Sequence, residues 1–146
     1  MAIDDDLAVL RRLEFFQVFE PDQLRLILFA ADSRILRPNE LLFLKGEPAH
    51  EGYLLQSGLI ALTQEPNGEA EFVRPGMLIG EYALLAEGTR PMTATARETS
   101  RIIIFPRKLI LRLFNEFPEA AEALREKVAQ RAKQFSDALF RIGEAL

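Results

Sequence analysis

Leu7, Leu10, Leu13, Phe16 and Phe19 recur at three-residue spacing along the first part of the chain, the period of a helix that buries one face. Pro21-Asp22 then restarts a second, shorter amphipathic run over 24–31, as a proline in the first turn of a helix can do. Both runs read as packing helices. From 35 to 104 short apolar stretches are cut by Pro38-Asn39, Gly46-Glu47-Pro48, Gly52, Gly58, Pro66-Asn67-Gly68, Pro75-Gly76 and Gly80, the punctuation of a compact antiparallel β unit. Pro66-Asn67-Gly68 is the strongest turn signal, because Asn-Gly readily supplies the positive φ of a tight hairpin. It predicts two adjacent strands. After Phe105-Pro106-Arg107 the helical period returns, over 109–117 and then, past Pro118, over 119–142, with Gly143 as a stop signal. The last helix carries an apolar stripe at steps of three and four: Ala121, Leu124, Val128, Ala132, Phe135, Leu139 and Ile142.

With 146 residues, 49% of them hydrophobic, the chain has the commonest single-domain size and enough apolar surface for one core. It shows no internal repeat and no low-complexity linker. The expectation is one mainly β domain with flanking helices: N-terminal helices over 1–33, a β unit over 34–105, and two C-terminal helices over 106–146. The absence of cysteine excludes disulfides, thiolate nucleophiles and Cys-ligated zinc, and a single histidine excludes a multi-His metal site. That residue, His50, lies in a predicted turn beside Glu47 and Glu51 and is assigned no role; no metal is expected. No Ser/His/Asp set, no Gly-rich loop followed by Lys and no acidic cluster for magnesium is present, so no enzyme is expected. The opening Asp4-Asp5-Asp6 stands where a secretory signal needs basic residues, which points to the cytoplasm. Apolar runs such as 102–105 fall far short of the roughly 20 residues of a membrane span. A net charge of −4 argues against a broad nucleic-acid footprint.

The run Gly80-Glu81-Tyr82-Ala83-Leu84-Leu85, with Gly46-Glu47, Tyr53-Leu54-Leu55-Gln56-Ser57-Gly58, Pro75-Gly76 and Phe105-Pro106-Arg107 leading into a helix, resembles the cyclic-nucleotide-binding family of bacterial catabolite regulators, kinase regulatory subunits and gated channels. The resemblance covers nearly the whole chain. It implies an antiparallel β-roll (a double-stranded β-helix, jelly-roll-like) closed by helices, with a phosphate-binding cassette over 80–96. In the family the cassette runs from Gly-Glu-x-Ala-Leu to an arginine about ten residues on, and Arg90 falls there, whether counted from Gly80 or back from Pro106-Arg107. A rival alignment, reading Arg90-Pro91-Met92-Thr93 as Arg-Pro-Arg-Thr, puts Met92 at the arginine position. By this resemblance Arg90 binds the cyclic phosphate and Glu81 accepts from the ribose 2′-hydroxyl. Gly80 and Ala83 let the backbone approach, with the Ala83 N–H pointing inward, and Tyr82, Leu84, Pro91, Met92 and Thr93 complete the ligand-binding set. A guanidinium beside the N–H groups that open a short helix suits a compact anion.

Pro91 departs from the family, which usually has Ala, Ser or Thr after the arginine. Proline has no N–H to give the phosphate, a loss of about 1.5–3 kcal/mol unless the Met92 N–H or a water replaces it. The missing hydroxyl also tilts the expected ligand toward cyclic AMP over cyclic GMP, although Thr93 remains within reach of the base edge. Phe135, Leu139 and Phe140 stand where the family carries a hydrophobic lid over the base; the same stripe equally suits a seam with a second copy. The expectation is a stand-alone sensor for cyclic AMP, with no other cofactor, that signals through its C-terminal helix to a protein partner or within a homodimer. No helix-turn-helix follows before Leu146, so direct DNA contact is not expected. Two alternatives remain: a degenerate member that binds no nucleotide, assembles with other proteins and pairs Glu81 with Arg90, or the sensory piece of a larger protein or complex.

Overall fold

The structure is a computed structural model that describes residues 2–145. Helix α1 spans Ala2–Arg12, a 3₁₀ turn Glu14–Val18, and α2 Pro21–Ala30. The apolar run from Leu7 to Phe19 is therefore not one helix. Phe15 and Phe16, consecutive in the tight turn, are both buried in the core. Pro21 opens α2, whose first turn is closed by a reciprocal bond from the Glu20 N–H to Gln23 Oε1 at 2.9 Å. Asp32 and Ser33, grouped above with the helices, begin the first strand.

Among the described residues eight strands form two four-stranded sheets, paired antiparallel throughout. One sheet has the order β1 (Asp32–Leu36), β8 (Ser100–Pro106), β3 (Glu51–Ser57), β6 (Leu78–Ile79); the other has β2 (Leu41–Phe43), β7 (Thr93–Ala96), β4 (Ile60–Thr63), β5 (Ala70–Val73). This is the β-roll the sequence led us to expect. Strands β3 and β8 read as nearly continuous apolar runs because their sheet is covered on both faces. Tyr53, Leu55 and Ile102 point between the sheets, whereas Leu54, Ile103 and Phe105 point to the helices. The helical side adds Leu10, Phe16, Leu24, Ile27, Ile110 and Leu113, so α1, α2 and α3 (Arg107–Glu116) are docked onto the roll.

The hairpin at Pro66-Asn67-Gly68 exists and joins β4 to β5, but neither Asn67 nor Gly68 takes positive φ. Its loop of six residues, 64–69, is longer than the two-residue connection that requires a mirror-image turn. The Gly68 N–H donates to Glu65 O at 3.0 Å with Pro66 in second place, a type I arrangement. Positive φ appears at the other Pro-Asn pair: Asn39 has φ 71, and the Glu40 N–H donates to Arg37 O, a type II turn. Helix α4, Pro118–Ala145, starts at the expected proline but runs through Gly143. Gly143 does not take the left-handed conformation that a stop would use.

Candidate functional site

The site is assembled at the end of β6. Gly80 has φ 75 and ψ 37 and leads directly into a 3₁₀ turn, Glu81–Leu84. A Cβ at Gly80 would lie 2.7 Å from Nη1 of Arg90, so glycine is required there for both conformation and space. Leu84 is buried in the helix-side core and packs over Gly52, where an added Cβ would meet Leu84 Cγ at 3.1 Å. That anchor leaves Glu81 and Tyr82 at the rim, Tyr82 being 85% exposed. The Ala83 N–H, expected to point at a ligand, donates to Gly80 O at 3.1 Å and closes the turn.

A cavity of about 290 Å³ opens beneath this turn, between residues 80–83, Arg90–Met92 and the apolar side chains Phe43, Leu62 and Leu78. Arg90 forms its floor and is only 4% exposed. Its Nη2 donates to Glu51 O at 2.9 Å and to the Tyr53 hydroxyl oxygen at 3.3 Å. The guanidinium carbon lies 4.3 Å from the Phe43 ring centroid and 5.3 Å from that of Tyr53, and the two rings stack at 5.9 Å. Tyr53 in turn donates to Glu51 Oε1 at 2.8 Å. Burial first, then the Glu51 carboxylate, pushes the Tyr53 hydroxyl above its ordinary range, so it stays protonated and offers Arg90 a neutral oxygen.

What Arg90 lacks is an anion. Its Nε is buried without a hydrogen-bond partner, and among the described residues no carboxylate stands within ion-pair distance of it. Glu81 does not neutralise it, so the purely structural Glu81–Arg90 pair is not formed. A buried cation without a counter-charge is costly by several kcal/mol. Such a group is poised to receive a negative ligand from the cavity side.

The expected residues divide cleanly. Gly80, Glu81, Tyr82, Ala83, Arg90, Pro91 and Met92 line the one cavity. Leu84 is in the core instead, and the Thr93 hydroxyl, already in β7, accepts from the Lys45 N–H at 2.9 Å. Arg90 and Met92, rivals for the arginine position, both line the cavity, where the chain bends at 91–92 before entering β7. Pro91 between them is exposed. Phe43, Leu62 and Leu78 were not anticipated; each belongs to a short strand that pairs with a strand distant in sequence, β2 and β4 with β7 and β6 with β3, and alternation alone does not reveal that partner.

The three lid residues lie apart from the floor. Phe135 borders a neighbouring groove of about 340 Å³ together with Phe15, Glu81, Tyr82, Leu85 and Val128, while Leu139 and Phe140 border neither space. Helix α4 is fastened to the N-terminal 3₁₀ turn: Arg131 pairs with the Glu14 carboxylate, and Lys127 donates to Glu14 O at 3.3 Å and Gln17 Oε1 at 3.4 Å. Among the described residues no cluster of three acidic, His or Cys side chains is placed to hold a metal, and no helix is long and apolar enough to cross a membrane.

Comparison with known proteins agrees with this geometry. The family described as "Cyclic nucleotide-binding domain" matches residues 33–117. The bovine (Bos taurus) cyclic nucleotide-gated channel beta-1 is 26% identical over 132 residues, covering 87% of this chain and 10% of that protein. The cyclic AMP receptor protein of Thermus thermophilus is 28% identical over 123 residues, covering 82% and 57%. This chain thus spans less than two thirds of either relative. The N-terminal domain of a transcriptional regulator from Streptomyces coelicolor superposes with a TM-score of 0.79 at 29% identity, over 90% of this chain and 94% of that one.

Proposed function

The chain belongs to the cyclic nucleotide-binding domain family, and on that premise we propose that it binds cyclic AMP in the cavity beneath Gly80 and acts as a regulatory domain without turnover. The observation that carries the reading is Arg90, a buried guanidinium with a free Nε and, among the described residues, no carboxylate partner. A cyclic phosphate entering under Gly80 meets Nη1 and Nε, while Nη2 stays committed to Glu51 O and Tyr53. Glu81, on the rim of the same cavity, accepts from the ribose hydroxyl. The apolar wall of Phe43, Leu62 and Leu78 suits the sugar and base.

Pro91 withholds one donor, and the adjacent Met92 N–H, for which no protein acceptor is found among the described residues, takes its place. Cyclic AMP is favoured over cyclic GMP because position 91 carries no hydroxyl for the guanine. The output is helix α4, of about 42 Å at 1.5 Å per residue. Val128, Phe135, Leu139 and Ile142 are exposed along it, and with Ala132 they alternate at steps of four and three, the seam of a coiled coil. A second copy of the chain, or a helical protein partner, covers that seam.

Titration calorimetry with both nucleotides tests the reading. Saturable heat with cyclic AMP in the micromolar range, weaker with cyclic GMP, is expected. No heat and no thermal shift at millimolar nucleotide overturns it and leaves the second reading, a protein-interaction module, which Pro91 favours.

A further inference from the structure

We propose that Arg107 is a positioning residue that ties the ligand-facing 3₁₀ turn to helix α3, so that the turn and the helix move as one body. Arg107 is the first residue of α3. Its backbone N–H donates to His50 O at 2.9 Å. Its Nη1 donates to Ala49 O at 2.9 Å, to Ala86 O at 3.1 Å and to Ala83 O at 3.2 Å. Three segments converge on one guanidinium: the approach to β3, the C-terminal end of the ligand-facing turn, and the start of α3.

The chemistry explains the convergence. The last carbonyls of a short helix have no intrahelical donor, and a cation at that end is favourable both as a hydrogen-bond donor and against the helix dipole. Ala83 O is such a carbonyl, and Ala86 O follows just past the end of the turn. Among the described residues Arg107 pairs with no carboxylate, so its charge is spent on backbone oxygens alone. The segment it grips also contains the site. Residue 49 precedes Glu51, whose carbonyl holds Arg90, and Gly52, over which Leu84 packs. A shift of Glu81 or Ala83 on binding therefore displaces the first residue of α3 without any intervening side-chain packing, and only Phe117 separates α3 from α4.

The tie itself exists without ligand; its role in relaying a nucleotide rests on the function proposed above. Hydrogen exchange on the full chain separates the two. In ligand-free protein, Arg107→Met, which keeps the apolar stem, is expected to speed exchange at amides 83–88 about tenfold, the loss of roughly one charge-assisted hydrogen bond, while β4, β5 and β7 exchange as in wild type. Arg107→Lys, with a point charge that reaches fewer carbonyls, is expected to fall between. With cyclic AMP, wild type gains protection in both 81–88 and 107–116, and the Met variant only in 81–88. Exchange at 83–88 unchanged by Arg107→Met, or a uniform acceleration across every strand, overturns the tie. If wild type binds no nucleotide the functional reading fails, and the ligand-free exchange still decides whether Arg107 holds the turn.

Discussion

Around Arg90 each neighbour is held by another. Tyr53 stacks on Phe43 and donates to Glu51, Glu51 O takes one guanidinium nitrogen, and Gly80 leaves space for the other. Along the outer half of α4 the reverse holds: Phe135 is 68% and Phe140 70% exposed, and among the described residues one ion pair, from Arg131, with two long hydrogen bonds, from Lys127, fastens the helix to the N-terminal turn. Rotamers and backbone in the first region are fixed before any ligand arrives, which lowers the entropic cost of recognition. The second region keeps apolar area in reserve, and a surface ion pair of roughly 0–1 kcal/mol restrains it weakly. On the function proposed above, recognition is built into the roll and response into the helix, and a ligand that favours one helix position need overcome only a small restraint.

The sharpest way to break this contrast is Arg90→Met. The methionine keeps an apolar stem between Phe43 and Tyr53 but removes the charge. Affinity for cyclic AMP is expected to fall about a hundredfold, two charge-assisted hydrogen bonds at the low end of their range. Stability is expected to hold or rise, since a buried cation without a counter-ion is removed; calorimetry and a melting curve on the same sample read both. Equal affinity in the variant would mean the cradle is not the nucleotide site. Glu81→Gln at the rim is the milder case. Losing the charge but keeping an acceptor is expected to weaken cyclic AMP about tenfold with no change in melting temperature, because Glu81 is exposed and among the described residues its carboxylate makes no ion pair. An unchanged dissociation constant would remove Glu81 from the ribose.

The same division decides what could be read from the chain. The compact antiparallel β unit was legible because Gly52, Gly58, Pro75-Gly76 and Gly80 punctuate it at strand length, its form as a β-roll only through the family resemblance, and the cavity-lining turn because Gly80-Glu81-Tyr82-Ala83-Leu84 is contiguous. Turn geometry was less so. Pro38-Asn39 and Pro66-Asn67 look alike, yet only the first takes positive φ, since loop length rather than dipeptide identity selects the turn. Leu84 and Thr93 sit among site residues in sequence but face the core and the Lys45 backbone. In so short a turn, one step along the chain reverses a side chain from cavity to interior. Spacing gave Phe43, Tyr53 and Arg107 no place at the site, because each reaches it through strand pairing or backbone carbonyls contributed from about twenty or more residues away.

On the helix, Leu139→Ser is expected to leave the melting of the roll within about 0.5 kcal/mol of wild type, since the side chain is exposed. It should convert a dimer to a mass near 16.6 kDa by light scattering. A wild-type chain that already scatters as a monomer would leave the seam to a different protein and end the proposal of a second copy.

The smallest effect expected belongs to the floor. Burial and the Glu51 carboxylate hold the Tyr53 proton on in the folded chain, whereas an unfolded tyrosine releases it near pH ~10. The folded state therefore binds the proton more tightly than the unfolded one. Its contribution is whole below pH ~10 and drains as the pH rises above it, by at most about 1.4 kcal/mol per pH unit. Tyr53→Phe keeps the ring against Phe43 and removes the titrating group, so its stability should fall less than that of wild type between pH ~9 and ~11. Denaturant midpoints at the two pH values check this, and parallel losses in the two proteins would show that the hydroxyl is not held neutral beneath Arg90. The variant also frees Nη2 of one acceptor, so a looser guanidinium and a two- to threefold weaker cyclic AMP affinity, about 0.5 kcal/mol, should accompany the flatter pH profile. Both changes together would tie the fixed floor to recognition, and a flatter profile with wild-type affinity would confine Tyr53 to the fold.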